Sequence, residues 1–249
     1  MKKIIKLLSL LVISVMLLTS CSEVIDFFFA PDYRVVTNDI FAKYIEMNLI
    51  VETSSEVGSK ELTSQGSGVI YGKDTHFYYC LTNAHVVETD AKAKNITYTI
   101  TDCYGVVHKA TFVHSDRSRD LAVLKFISAE PLCIVELAEF DPFVGQNVAV
   151  ISTSNHLINS VTYGKVKTYD TVNITDSMGN DDTRVTFPVI WHDAPMWDGG
   201  SGSVLLNMQM ELVGINYAVA INGQGQFNYG FAVSISHVRK YLEENNLMK

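Results

Sequence analysis

The sequence predicts an all-β fold, either a sandwich or a pair of barrels, and three observations carry that reading. Short strand-like runs recur between residues 68 and 233, many of them alternating apolar and polar side chains. Clusters of Gly, Asn and Asp separate them as turns. Helical periodicity is confined to one short segment on either side of this span. The chain has 249 residues, 47% of them hydrophobic and 18% charged, with only 5 Pro. Such a composition fills a substantial core and excludes a disordered or collagen-like chain.

The N-terminus reads as a targeting segment. Met1, Lys2 and Lys3 supply a positive start, and residues 7–18 are apolar except for Ser9 and Ser14. The stretch is short for a membrane span and small residues follow it, so residues 1–20 are expected to be a signal peptide. Leu18-Thr19-Ser20-Cys21 resembles a bacterial lipoprotein box, in which the Cys becomes the new N-terminus and carries lipid. That resemblance implies an acylated (palmitate-bearing) Cys21 and a protein on the extracytoplasmic side of the cell envelope. Several acyl chains on one residue anchor stably, where one chain alone is marginal. Residues 21–38 follow as a tether, with Phe27, Phe28 and Phe29 either at the membrane surface or packed on the folded part.

A first helix is expected over 39–48, with Ile40, Phe41, Tyr44 and Ile45 on one face. Strands are expected over 68–71, 77–81, 95–101, 106–114, 121–126, 147–152, 161–170 and 183–191, then 203–207, 212–219 and 228–233. The clearest is 95–101, where Ile96, Tyr98 and Ile100 alternate with Thr97, Thr99 and Thr101. Residues 102–105, 176–182 and 222–225 are turn clusters. Ser236 is expected to cap a closing helix with Val238, Tyr241 and Leu242 turned inward. The chain shows no internal repeat or low-complexity tract.

Charge and cysteines exclude several function classes. The formal charge is −8; without the leader's Lys2, Lys3 and Lys6, 16 basic side chains stand against 27 acidic ones. A binder of phosphate backbones needs the opposite sign, so nucleic acid is excluded as a partner. Beyond Cys21, the odd set Cys80, Cys103 and Cys133 cannot form a complete disulfide framework, and three buried thiols are expected. None has a Cys or His at ligand spacing, so neither metal nor cofactor is expected.

Three strings carry chemistry. Leu81-Thr82-Asn83-Ala84-His85 ends a strand in a His, and Asp120 opens the apolar run Leu121-Ala122-Val123-Leu124. Trp197-Asp198-Gly199-Gly200-Ser201-Gly202-Ser203 sets a Ser among glycines. Each string alone has an ordinary structural explanation. His, Asp and Ser in that chain order are one known arrangement of a Ser-His-Asp triad. A Ser hydroxyl attacks only when a base takes its proton, and a carboxylate on the other ring nitrogen fixes the tautomer. Flanking glycines let backbone donors converge on a developing oxyanion, each contributing roughly 3–4 kcal/mol.

With Gly66-Ser67-Gly68-Val69-Ile70, Asp193-Ala194, Gly214-Ile215-Asn216 and Gly230-Phe231-Ala232-Val233 in the same order, residues 40–245 resemble the trypsin-like serine proteases, specifically the HtrA/Deg protease domain. The resemblance implies two six-stranded antiparallel β-barrels with a C-terminal helix, the chymotrypsin/trypsin-like fold. The first barrel would span 39–135 and the second 136–249. It makes His85 the general base, Asp120 its orienting carboxylate in preference to Asp116, and Ser201 the nucleophile. It places the oxyanion hole at the N–H groups of Gly199 and Ser201, and the substrate pocket at Pro195, Asn216, Tyr217 and Ala218. Polypeptides would be the substrates, with a small or medium apolar residue before the cut. Gly200 departs from the pattern, since HtrA-type enzymes carry Asn there and digestive relatives an Asp that pairs with a newly cut N-terminus. Glycine cannot make that pair, and it loosens the oxyanion loop. Trp197-Asp198 replaces the usual Asn-Pro. No PDZ domain is expected after the closing helix. A pseudoprotease serving as a surface binding or adhesion module is the alternative reading. A solute-binding lipoprotein would instead show α/β patterning with long amphipathic helices.

Overall fold

Ten residues, Asn48–Val57, form β1, which turns back through Gly58 into β2, Lys60–Lys73. Gly58 has φ +65°, a left-handed conformation that glycine adopts without the clash a Cβ brings. A computed structural model describes residues 44–154, 157–175 and 181–249. β3 (Tyr78–Thr82), β4 (Lys94–Thr101), β5 (Val107–Asp116) and β6 (Leu121–Phe126) complete a closed barrel in the order β1-β2-β3-β6-β5-β4. Between β3 and β4 lies a single helical turn, α1 (Ala84–Val87). Leu49, Val51, Ile70, Ile100, Leu124 and Phe126 fill the barrel with almost no exposure. Each such side chain contributes roughly 1.5–3 kcal/mol on leaving water.

The second barrel repeats the plan. β8 (Asn147–Ser154), β9 (Leu157–Asp170), β10 (Val189–His192), β11 (Val204–Leu206), β12 (Glu211–Ile221) and β13 (Phe227–Ser234) run in the order β11-β8-β9-β10-β13-β12. Pairing of β11 with β12 closes the ring, and the two-residue β7 (Glu136–Leu137) adds to β12 in parallel. The chain ends in α2 (Ile235–Glu244).

Several elements differ from the sequence expectation, each for a physical reason. Of the expected first helix, residues 39–43 lie outside the described residues; Tyr44 is helical, Ile45–Met47 form a 3-10 turn, and Asn48 already belongs to β1. β1 escaped notice because Thr53 and Ser55 are polar yet buried, which erases the alternation. β2 is far longer than 68–71, since its first half is an exposed polar arm paired with β1. Of 183–191 only the end is strand: Pro188, which has no N–H to donate, precedes β10. The cap of α2 is Ser234 rather than Ser236. Asp141 from the inter-barrel connection accepts the Ser236 N–H at 2.8 Å and both Ser hydroxyls. Among the thiols, Cys80 is buried but Cys103 and Cys133 are half-buried.

α2 follows the second barrel in sequence but is fastened to the first. Tyr241, fully buried, donates to the His114 carbonyl of β5 at 3.2 Å, and Arg119 bonds Glu244 at 2.7 Å. Arg239 meanwhile donates to the Leu137 and Ala138 carbonyls, each at 2.8 Å. The helix therefore works as a brace. Tyr241→Ala is expected to cost about 3–5 kcal/mol through its cavity and lost bonds. Urea unfolding followed by circular dichroism checks this, and the wild type should show one transition for both barrels.

Candidate active site

His85 sits in α1, just beyond the end of β3. The helix is too short to orient anything alone, and the buried Asn83 before it donates its side-chain amide to the Asp120 carbonyl at 2.8 Å. Asp120 is 1% exposed and has φ +51°, a conformation that Asp tolerates better than most side chains. That twist turns the carboxylate under α1. Its Oδ1 accepts the His85 backbone N–H at 2.9 Å and its Oδ2 lies 2.7 Å from His85 Nδ1. Nδ1 therefore carries the proton, and Nε2 is left as the basic nitrogen facing the cleft. Asp116 is engaged elsewhere. Burial works against its charge, but hydrogen bonds from Ser118 and Arg119 hold the carboxyl below its ordinary range.

Ser201 lies in the turn between β10 and β11, and one residue of the first barrel holds that turn. Ser67, fully buried, donates its N–H to the Ser201 carbonyl at 2.7 Å and its hydroxyl to the Gly199 carbonyl at 2.8 Å. The same hydroxyl accepts the Thr153 N–H, and Thr82 Oγ1 donates to the Ser67 carbonyl. Gly202, φ +84°, passes so close that a Cβ would stand 2.1 Å from the Ser67 oxygen. Gly200 is buried, donates to the Trp197 carbonyl at 2.9 Å and accepts from Ser203 N–H at 3.0 Å. Both bonds lie within the turn that carries Ser201. Among the described residues the N–H groups of Gly199 (φ +88°) and Ser201 donate to no backbone acceptor. The Ser201 hydroxyl donates to the Tyr217 carbonyl at 3.3 Å, and no hydrogen bond joins it to His85.

Two cavities flank His85. One, about 330 Å³, is lined by Asp120, Tyr217, Ala218, Ile174, Asp182 and Arg184. The other, about 290 Å³, lies between the β1–β2 arm and Glu88. Arg184 borders both and reaches across to Glu88 at 2.5 Å. Tyr217 itself is 5% exposed; among the described residues its hydroxyl has no partner, and burial together with the Asp120 charge pushes its pKa up. Of the remaining expected pocket residues, Pro195 is half-buried, its carbonyl accepting from Thr162. Asn216 is fully buried, with its Oδ1 2.8 Å from His192 Nε2. Asp198 and Trp197 are exposed on the rim. In the sequence Ser67 and Asn83 stand within the motifs but carry no expected role, and no motif marks Arg184 or His192. The hydroxyl between two glycines at 66–68 was the available signal for Ser67.

Two six-stranded barrels, with a His–Asp pair from one facing a glycine-flanked Ser from the other, define a chymotrypsin-like peptidase domain. The trypsin-like peptidase domain family matches residues 66–215, and the chain belongs to that family. It is 35% identical over 71% of its length to a probable periplasmic DegP-like serine endoprotease of Halomonas elongata, covering 34% of that protein. It is 32% identical over 79% of its length to the serine protease Do-like HtrA of Bacillus subtilis, covering 42% of that chain. The chain thus spans between a third and a half of these curated relatives. The solved active form of the Rv3671c protease of M. tuberculosis shares the fold, with TM-score 0.66 and 23% identity over 86% of each chain.

His192 gives the site a pH signature. Burial pushes its pKa down to about 4, against weaker support from Asn216 and Asp193. The unfolded chain, titrating near 6.5, takes the proton first as pH falls. Stability from this group is therefore complete above about pH 6.5 and is lost as pH drops towards 4, by about 3 kcal/mol in all. Urea unfolding at pH 7.5 and 4.5 should show this loss in the wild type, and His192→Gln should lack that share of it.

Proposed function

We propose that this chain is a serine endopeptidase that cleaves polypeptides through an acyl-enzyme, with His85 as general base, Asp120 as its orienting carboxylate and Ser201 as nucleophile. The observation that carries the reading is the 2.7 Å contact of His85 Nδ1 with the buried Asp120, which leaves Nε2 open to the cleft. In the reaction Ser201 Oγ swings from the Tyr217 carbonyl to His85 and attacks the substrate carbonyl while Nε2 takes its proton. The oxyanion is received by the Gly199 and Ser201 N–H groups. The imidazolium, stabilised by Asp120, gives the proton to the leaving amine, and water repeats the cycle on the ester. Substrate lies as an added strand along Tyr217 and Ala218, its N–H taking the carbonyl that Ser201 gives up. Pro195, Asn216, Tyr217 and Ala218 form the pocket for the residue before the cut. None of these steps requires a cofactor.

We place the enzyme on the extracytoplasmic side of a bacterial envelope, anchored by lipid on Cys21 after removal of residues 1–20. The leader sequence supports this, as does the periplasmic description of the Halomonas relative. No described helix is long and apolar enough to cross a membrane. A second reading, a non-catalytic binding module on the same fold, draws on the Ser201 hydroxyl bonding Tyr217 rather than His85.

A fluorophosphonate probe separates the two, because it reports an activated Ser without needing the substrate. The wild-type chain should label, and Ser201→Ala and His85→Ala should not. Asp120→Asn should slow labelling by up to about 10⁴-fold. A folded but unlabelled wild type would establish the binding module instead.

A further inference from the structure

The second cavity beside His85, about 290 Å³, has a wall built from two cross-strand pairs. Thr53 faces Ser64 and Ser55 faces Leu62, all on one face of the β1–β2 arm. Earlier in β1 the same face carries Leu49 and Val51 in the barrel core. It turns polar where the cavity begins, yet Thr53 and Ser55 are still only 2% and 4% exposed. Among the described residues the Thr53 hydroxyl has no hydrogen-bond partner. An unpaired buried hydroxyl carries a desolvation penalty that a ligand bonding to it removes. Glu88, which follows α1, also borders the cavity, with Asp90 exposed at its rim. Glu88 Oε2 accepts from Arg184 and lies 3.6 Å from Arg117, which leaves Oε1 for a further donor. Among the described residues the Asp90 carboxylate accepts only the Lys92 backbone N–H.

The position of this cavity relative to the reacting atoms follows from β2. Leu62, Ser64 and Gly66 share one face of that strand. A Cβ on Gly66 would stand 2.9 Å from the Ser201 carbonyl oxygen and 2.7 Å from Val86 of α1, so the wall leads to the turn that carries Ser201. Tyr217 and Ala218, proposed above to hold the substrate chain before the cut, line the first cavity and not this one. The second cavity therefore lies on the leaving-group side of His85. We propose that it receives a basic side chain, Lys or Arg, from one of the two substrate residues that follow the scissile bond, with Glu88 and Thr53 as its specificity-determining residues. The inference rests on the endopeptidase reading and deepens it. The volume suits one long side chain rather than a whole ligand. The aliphatic stem covers Leu62, which is 46% exposed, while the cationic head reaches Glu88 Oε1 and the Thr53 hydroxyl. Asp90 adds negative charge at the entrance. Arg184 borders the cavity too, but its charge is committed to Glu88, so an acidic side chain would face Glu88 and Asp90 instead.

The test uses the full chain and internally quenched peptides with Ala before the cut and Arg, Lys, Ala, Leu or Glu at either of the two positions after it. At one of those positions wild type should favour Arg and Lys over Glu by at least about tenfold in kcat/KM, and about 1 M NaCl should narrow that ratio. Glu88→Gln removes a carboxylate and releases the Arg184 charge, so the ratio should fall by about tenfold or more. Thr53→Val should lower kcat/KM for the Arg and Lys peptides about threefold to tenfold relative to the Leu peptide. Because the hydroxyl is unpaired before substrate binds, Thr53→Val should also keep or raise the urea midpoint, and a lowered midpoint would overturn its part in recognition. Should Glu88→Gln fail to fold by circular dichroism, Thr53→Val carries the test alone. Fluorophosphonate labelling of Ser201 keeps two failures apart. A wild type that never labels overturns the endopeptidase reading, and the inference falls with it. A labelling wild type that cleaves all these peptides alike or favours Glu, or labelling variants that keep the full preference for Arg and Lys, overturn the role of this cavity alone.

Discussion

One buried serine joins the two halves of the site. Ser67 belongs to the first barrel, yet its N–H, hydroxyl and carbonyl are all engaged, and two of those bonds end on the loop that carries Ser201. A catalytic centre split between barrels requires its parts held to within about half an ångström, and strands are better supports than loops. Ser67 extends the rigidity of β2 into a loop that has little of its own. The approach is possible because Gly202 has no side chain: any Cβ there would collide with the Ser67 carbonyl. Losing the glycine or losing the serine would strike the same joint from opposite sides.

The same logic explains the first barrel's share. His85 lies on one helical turn, which by itself would fray. Asp120 fixes it twice, through the backbone N–H and through the ring, while Asn83 fixes Asp120. The left-handed backbone at Asp120 costs about 1 kcal/mol or more, and this lattice of bonds to a 1%-exposed residue offsets it. Arg184 adds a further connection between barrels at Glu88 and borders both cavities beside His85. In the proposed mechanism the Ser201 hydroxyl must leave the Tyr217 carbonyl for His85.

Much of this was legible in the sequence, because the informative residues were local. Alternation in 95–101, the turn at Asp102 to Gly105 and the inward face of α2 required only short-range patterning. Asp102 Oδ1 accepts the N–H groups of Tyr104 and Val106, as an Asx turn should. The motif order brought His85, Asp120 and Ser201 forward as a set. What escaped depended on partners distant in the chain. β1 hides its period because Thr53 and Ser55 are buried, and β2 hides its first half because that half is exposed on both faces. Ser67 bonds a loop 132 residues away, and the buried His192 meets Asn216 and Gly230 only in the folded sheet. No periodicity reports such contacts; they exist only once both barrels have closed.

The account stands on Ser67 holding the loop that carries Ser201, and Ser67→Ala tests it most directly. The substitution keeps the N–H bond to Ser201 and removes the hydroxyl, with its bond to the Gly199 carbonyl and the one it accepts from the Thr153 N–H. The measurement is the rate at which a fluorophosphonate labels Ser201, taken where circular dichroism shows the variant folded. The account predicts a rate at least about tenfold below wild type, a fraction of the 10²–10³ that losing an oxyanion donor outright costs. Labelling at the wild-type rate would mean that the loop holds its shape without Ser67, and would contradict the account.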